Sequence, residues 1–295
     1  MAAAAPYDDR DGVIWHDGHM VPWRDARLHV LTHGLHYASG VFEGERAYNG
    51  KIFKLTEHTD RLFASAKIMG FSLPHDAKTI NDACYAVMKA NNIVDGYIRP
   101  VAWRGSEMMA VSAQQTNIHM AIAAWSWPSY FGQEARQKGI RLKTAPWRRP
   151  APDTAPVHAK AAGLYMICTL SKHAVEREGY TDAMMLDYRG LVAEATGANI
   201  FFGIDGKLHT PTPDCFLNGI TRQTVIELAK NRGMTVVERA IKPEEIAKAT
   251  EAFLTGTAAE VTPIGSIDSH TYSVGLMTKK LMEDYDALVR DKVPA

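Results

Sequence analysis

Pro156-Val157-His158-Ala159-Lys160-Ala161-Ala162-Gly163-Leu164-Tyr165 is the stretch from which the rest of the chain is measured. Its centre is Lys160. Lysines sit on polar surfaces because a buried ammonium is costly unless it is paired or gives up its proton. Here the neighbours are Val157, Ala159, Ala161, Ala162 and Leu164, and no acid lies within five positions on either side. Desolvation in so apolar a setting can hold an amine partly neutral, the state a lysine nucleophile needs. On residue types alone a solvated lysine at a helix start is the commoner outcome. The weight therefore falls on what stands at fixed distances from Lys160.

Downstream, a helix is expected from Lys160 to about Glu178, with Gly179 as its stop. Short strands follow at 183–188, 191–194 and 199–204, with turns at Arg189-Gly190 and Asp205-Gly206. A helix is expected over 221–232, then strands at 235–239 and 252–255, the loop Gly256-Thr257-Ala258-Ala259 and a closing helix. Upstream, Pro146, Pro150, Pro152 and Pro156 exclude regular structure between a strand at 140–144 and the lysine. The composition break Trp127-Pro128-Ser129-Tyr130-Phe131-Gly132 reads as a linker between two domains. The boundaries expected are 1–126 for a small domain, 127–137 for the linker and 138–295 for a large domain carrying Lys160.

In the first half, Val13-Ile14-Trp15 and Met20-Val21-Pro22-Trp23 flank His16-Asp17-Gly18 as a β-hairpin. The stretch 28–44, with three histidines and a tyrosine broken by glycines, reads as an irregular path. His29, His33 and His36 would share a helix face, but no acid or thiol joins them, so no metal site is assigned. Amphipathic helices are expected at 57–69 and 78–90, and strands at 97–103 and 118–125, the latter nearly all apolar and hence central. No repeated βαβ rhythm is visible, so the class is α+β.

Lys plus Arg and Asp plus Glu are both 33, and apolar residues make up 46%. That balance speaks against a chain devoted to nucleic acid or to an anionic membrane. Cys84, Cys168 and Cys215 are scattered, with neither metal-type spacing nor a disulfide framework. A cytoplasmic protein is expected, with neither membrane nor nucleic acid as partner.

Three further groups carry chemistry. Leu217-Asn218-Gly219-Ile220-Thr221-Arg222 puts a glycine and a hydroxyl at a helix start, where free N–H groups and the positive dipole end can hold an anion. Thr221 as a plain cap is the simpler reading. Gly256-Thr257-Ala258-Ala259 offers a second small-residue loop, or an ordinary turn. Glu194 ends a strand and is followed by Ala195-Thr196-Gly197-Ala198-Asn199, so a planar group could lie against it; a surface acid is the alternative.

Taken together, Asn218–Arg222, Glu194–Asn199 and Thr255-Gly256-Thr257-Ala258-Ala259-Glu260, at their distances from Lys160, resemble the signature of class IV, or fold type IV, pyridoxal-phosphate enzymes. His36-Tyr37, Val41-Phe42-Glu43-Gly44 and Tyr97-Ile98-Arg99-Pro100 narrow the resemblance to the branched-chain amino acid aminotransferases. It spans the chain from about Trp15 to Asp268. The resemblance implies the two-domain D-amino acid aminotransferase-like fold, with a small α/β N-terminal domain and a larger pseudo-barrel C-terminal domain.

It also implies site residues. Lys160 matches the lysine that binds pyridoxal 5'-phosphate covalently and moves the substrate's proton, and Glu194 the acid paired with the pyridine nitrogen. Arg61, Ile220, Thr221 and Thr257 match the phosphate ligands, and Leu217 and Gly219 belong to the same cofactor set. Tyr165 matches the tyrosine that bonds the phenolic oxygen. Tyr37, Phe42, Gly44, Tyr97, Arg99 and Tyr130 match the substrate pocket. Thr257 and Ala258 amides with the Tyr97 hydroxyl match the α-carboxylate site, and Arg99 the partner of glutamate's side chain. An aromatic wall with one arginine suits both leucine-like and glutamate side chains.

The chain departs from the family pattern at Ala195 and Ala198, where glycine and a second acid are common. It departs again in the methionine-rich loop 105–111, which in relatives reaches the partner subunit. The expected reaction is amino transfer from leucine, isoleucine or valine to 2-oxoglutarate, in a homo-oligomer with a dimer as minimum and a tetramer or hexamer left open. The alternatives are a D-amino acid or (R)-amine transaminase, an aminodeoxychorismate lyase, and a binding protein on the same scaffold.

Overall fold

The computed structural model describes residues 6–127 and 132–291. The described residues fall into two compact units. One takes residues 6–127 together with Ala159–Gly163, and the other takes 132–158 and 164–291. Lys160 therefore packs with the first unit, although the chain on either side of it belongs to the second.

The first unit begins with the hairpin of β1 (Val13–His16) and β2 (His19–Pro22). The 28–44 stretch is more regular than its glycines suggest: α1 (His33–Tyr37) is a single helical turn, and β3 (Gly40–Phe42) follows it. Then come β4 (Glu45–Tyr48), β5 (Lys51–Ile52), α2 (Leu55–Ile68), α3 (Ala77–Ala90), β6 (Gly96–Arg104) and β7 (Ile118–Ser126). Asp76 caps α3 by accepting from the Thr79 N–H. The strands run in the order β2-β1-β7-β6-β4-β5, with β3 also on β6, and every pairing is antiparallel. So β7 is interior, as its apolar run implies.

The period of two in β6 sends Ile98 and Ala102 under α2 and α3, into a core with Leu62, Ile80, Val87 and Met120. Tyr97, Arg99, Val101 and Trp103 are left on the other face. Pro100 is unusual in so central a strand. It stands where β3 has ended and β4 has not begun, and its carbonyl accepts from the Glu43 N–H at 2.8 Å. Its missing N–H falls in that break, so no ladder bond is lost.

The second unit carries α4 (Gln133–Lys138), which overlaps the expected linker and ends one residue beyond it, and β8 (Ile140–Thr144). A 3-10 turn (Ala162–Tyr165) leads into α5 (Met166–Glu176), so the helix expected from Lys160 starts six residues later. Next are β9 (Asp182–Leu186), β10 (Val192–Ala195), β11 (Asn199–Ile204), β12 (Lys207–Pro211), α6 (Ile220–Asn231) and β13 (Val236–Arg239). The last elements are β14 (Glu251–Gly256), β15 (Glu260–Ile267), β16 (His270–Thr271) and α7 (Leu276–Val289). β12 and β15 fall outside the strands expected from the sequence.

The strand order β10-β9-β8-β15-β14-β11 returns to β10, so six strands close on themselves, and β12 and β13 extend from β11. Closure leaves the ring no edge. Its interior is filled by Leu142, Met184, Ile200, Phe202, Leu254 and Ile264. This closed sheet is the pseudo-barrel that the resemblance implies. Among the described residues no helix is long and apolar enough to cross a membrane.

Candidate active site

In the first unit, Lys160 is fixed through its backbone. Its N–H donates to Ser65 Oγ at 2.9 Å and its carbonyl accepts from the Phe42 N–H at 3.1 Å. Ala161 also bridges Val41 in antiparallel fashion. The side chain carries its ammonium over the Phe42 ring, 4.8 Å from the centroid. Burial, with Arg61 next in weight, lowers the amine from 10.5 to about 8, against the opposing pull of Glu43. Lys160 as a residue keeps some solvent access, while its amine is enclosed by protein.

Glu43 emerges at the break between β3 and β4 and is fully buried. Its Oε1 accepts from Arg61 Nε at 2.6 Å, and its Oε2 accepts from Arg61 Nη2 at 2.8 Å and from His58 Nδ1 at 2.7 Å. Burial alone would raise the carboxyl; Arg61 and His58 outweigh it and hold the group well below the usual carboxylate range. His58, Arg61 and Ser65 occupy one face of α2 by their i, i+3, i+7 spacing. One helix thus orders both Glu43 and the Lys160 backbone.

Tyr97 and Arg99 share a face of β6. Arg99 Nη2 donates to Tyr97 Oη at 3.1 Å, and its guanidinium lies 4.7 Å from the Phe42 centroid. Gly44 is required there, because a Cβ on it would stand 1.8 Å from Tyr97 Oη. Tyr37 is exposed and stacks on His33, 4.5 Å between centroids. The ring nitrogens of His33 meet Ser39 Oγ at 2.6 Å and the Ala110 carbonyl at 2.9 Å. His36 Nε2 meets the Val30 carbonyl, and His29 Nδ1 accepts from the Leu31 N–H.

In the second unit, register places a row of polar residues side by side. Glu194 pairs with Asn199, and Asn199 with Thr255, on β10, β11 and β14. Directly opposite residues point to the same face, here the face away from the barrel interior. An irregularity in β10 just before Glu194 re-aims its side chain. Asn199 Nδ2 donates to Glu194 Oε2 at 3.2 Å and to the Leu217 carbonyl at 3.0 Å, while its Oδ1 accepts from the Gly219 N–H at 3.1 Å. Arg149 approaches Glu194 Oε1 at 3.4 Å. Burial works against the Arg149 charge, but Glu194 together with Cys168 and Tyr165 outweighs it and the guanidinium is raised.

Gly219 stands at the N-cap of α6 and makes no side-chain cap, so the first-turn N–H groups of Ile220 and Thr221 remain donors. Arg222, buried, bonds Asn218 Oδ1 at 2.8 Å, the Pro211 carbonyl at 3.1 Å and Glu238 at 2.8 Å, which fixes the loop from below. Thr257 and Ala258 form the turn between β14 and β15 and are half-buried. Tyr165 is half-buried at the end of the 3-10 turn. Tyr130, expected in the substrate pocket, lies outside the described residues.

Residues 40–267 match the model of the family described as amino-transferase class IV. The chain belongs to the class IV aminotransferases. A Pseudomonas aeruginosa relative named branched-chain-amino-acid aminotransferase is 46% identical over 294 residues, covering 97% of this chain and 96% of that protein. The crystal structure of a branched-chain aminotransferase from Thermoproteus uzoniensis with norvaline has a TM-score of 0.91 at 37% identity, covering 96% of this chain and 96% of that one. The branched-chain amino acid aminotransferase of Thermobaculum terrenum, solved in its PLP-form, gives 0.88 at 30% identity, covering 96% of this chain and 95% of that one. In this class IV aminotransferase, sequence reasoning left Glu43, His58, Arg149 and Arg222 without a role. Asn199, quoted in a motif, carried none either. Only a buried charge with a partner distant in sequence would have marked them, and the sequence alone does not pair them.

Proposed function

We propose that this chain transfers the amino group of leucine, isoleucine or valine to 2-oxoglutarate, giving branched-chain 2-oxo acids and L-glutamate, with pyridoxal 5'-phosphate as cofactor. The observation that carries the reading is the enclosed Lys160 amine, lowered to about 8 beside Tyr97 and Arg99. The residues present fit the cofactor. An amine that is partly neutral near pH 7, a carboxylate gripped by an arginine and an amide, and an uncapped helix start suit an aldehyde, a pyridine nitrogen and a phosphate. Thr255 Oγ1, buried and without a hydrogen-bond partner among the described residues, adds a donor on the face of Glu194 and Asn199.

When bound, pyridoxal phosphate supplies an electron sink for the pair left at the substrate's Cα. Lys160 holds the cofactor and carries the proton away from and back to Cα. Glu194 serves the ring nitrogen, with Arg149 and Asn199 keeping its oxygens in place. Arg61, Ile220, Thr221 and Thr257 hold the phosphate, Leu217 and Gly219 line the cofactor, and Tyr165 bonds the phenolic oxygen. Tyr97, Thr257 and Ala258 orient the α-carboxylate. Phe42, Gly44, Tyr37 and Tyr130 shape an apolar wall, and Arg99 takes the side-chain carboxylate of glutamate.

We place the protein in the cytoplasm as a homo-oligomer, a dimer at least, with a small domain 1–126, a linker 127–137 and a large domain 138–295. Leu28, Val30, Leu31 and Leu35, all exposed, support the oligomer. The test is a donor panel with both enantiomers of leucine and alanine and with 1-phenylethylamine. Without 2-oxoglutarate the 2-oxo acid of L-leucine should stop at about one equivalent per subunit, and repeated turnover should need the acceptor. Failure of 2-oxoglutarate to sustain turnover would refute the transaminase reading, and preference for D-donors or the amine would overturn the branched-chain assignment.

A further inference from the structure

We infer that Glu43 is a positioning residue for the cofactor's phosphate, acting through Arg61; this rests on the reading of Arg61 as a phosphate ligand. A guanidinium has five N–H donors in a rigid fork. Glu43 takes the Nε/Nη2 edge of that fork with both carboxylate oxygens, at 2.6 and 2.8 Å. With one edge fixed, the plane of the guanidinium and the direction of its opposite edge are fixed too. The carboxylate is itself over-determined. His58 donates from Nδ1 to Oε2, and the Gly44 N–H reaches the same oxygen at 3.2 Å. An ionised carboxylate only accepts, so Nδ1 is the protonated nitrogen, and burial opposes a second proton on His58.

Glu43 and His58 are respectively 0% and 2% exposed by side chain, whereas Arg61 is 18% exposed. The buried acid therefore serves a cation that reaches toward solvent. A purely structural pair at this depth is matched or bettered by apolar residues of like volume. The neighbouring Glu45 shows the contrast. It is fully buried and has no cationic partner at ion-pair distance among the described residues, and its carboxyl is raised well above the usual range by burial and by Glu43. Of these two neighbouring acids, only Glu43 has Arg61 and His58 against its oxygens.

The test measures binding to the apoenzyme, by absorbance and fluorescence titration, of pyridoxal 5'-phosphate and of pyridoxal, which lacks the phosphate. Glu43→Gln, which preserves shape, should weaken the phosphorylated ligand about ten- to a hundred-fold, the range lost when the support of a ligating side chain is removed. Pyridoxal should change by less than about three-fold. Any effect of Glu43 on the Lys160 amine alters both ligands alike and cancels in their ratio. Arg61→Met should lower the same selectivity at least as far, and the double variant should lose little more than Arg61→Met alone. His58→Gln, a gentler change, should shift the ratio in the same direction and covers the case in which Glu43→Gln fails to fold. If Arg61→Met loses the selectivity and Glu43→Gln and His58→Gln keep it, the inference is overturned while the reading of Arg61 stands. Equal weakening of both ligands by Glu43→Gln also overturns it, since the acid would then serve Lys160 or the fold. If Arg61→Met keeps the selectivity, Arg61 is not a phosphate ligand and both fall.

Discussion

An apoenzyme in which Lys160 titrates near pH 8 should differ sharply from one with an ordinary lysine at that position. The structure lowers the amine from 10.5 to about 8, first by burial and then by Arg61. At pH 7 that raises the neutral fraction from about 0.03% to about 9%, a gain of roughly 300-fold in reactive amine. Trace labelling with acetic anhydride from pH 6 to 11, followed by peptide mass spectrometry, reads that fraction directly. Labelling at Lys160 should rise with pH and level off above about 8, while the fully exposed Lys78 continues to climb. Arg61→Met removes a neighbouring cation and should move the Lys160 inflection upward. The lowered amine also has a thermodynamic sign. The unfolded chain binds the proton more tightly, so stability is gained as pH rises from about 8 to 10.5 and is lost as pH falls through 8. Wild-type apoenzyme should therefore gain on Lys160→Met across that window in urea melts. An inflection near 10.5, or no relative gain, would refute the enclosed-amine reasoning.

Arg99→Ala should weaken the glutamate half-reaction by about 2–5 kcal/mol, with a much smaller loss for leucine, in single-turnover absorbance measurements; equal losses would show that Arg99 serves the shared carboxylate. Glu194→Gln should still bind the cofactor yet lose orders of magnitude in rate, since an ionic partner of the ring nitrogen is gone; an unchanged rate would make Glu194 structural. Gly219→Ala places a Cβ 2.2 Å from Asn199 Oδ1, so the start of α6 must shift. Its cofactor dissociation constant should rise at least about ten-fold at nearly unchanged melting temperature, and unaltered binding would remove α6 from the site.

Much of the second unit was legible because its strands are short apolar runs between Gly and Asp turns: β8 falls on the expected residues, and β13 begins one residue late. β15 was not: Pro263 and Gly265 interrupt its run of apolar residues. In the structure Pro263 pairs with Phe253, and Gly265 sits at a register irregularity where a Cβ would meet the Lys138 carbonyl at 2.5 Å. Gly265 is required at that irregularity. The residues around Glu194 and Gly219 stood out as motifs, but their organiser did not. Asn199 joins them only once β11 brings it beside Glu194 and under the Leu217 carbonyl. Arg149 and Glu43 are ordinary charges until folding buries them, and burial of a single residue leaves no trace in local sequence.

Lys160 is stitched at its N–H to Ser65, at its carbonyl to Phe42, and at the next residue to Val41. The pivot of the side chain is therefore immobile, and only the four methylenes and the nitrogen move. The amine sweeps a short arc about a fixed hinge instead of wandering with a loop. Backbone freedom is surrendered once, during folding, so no such loss recurs at each turnover. What is left is a lever with a set radius. Shortening it by one methylene, as in an ornithine side chain, would leave every backbone bond in place and move the nitrogen off its arc.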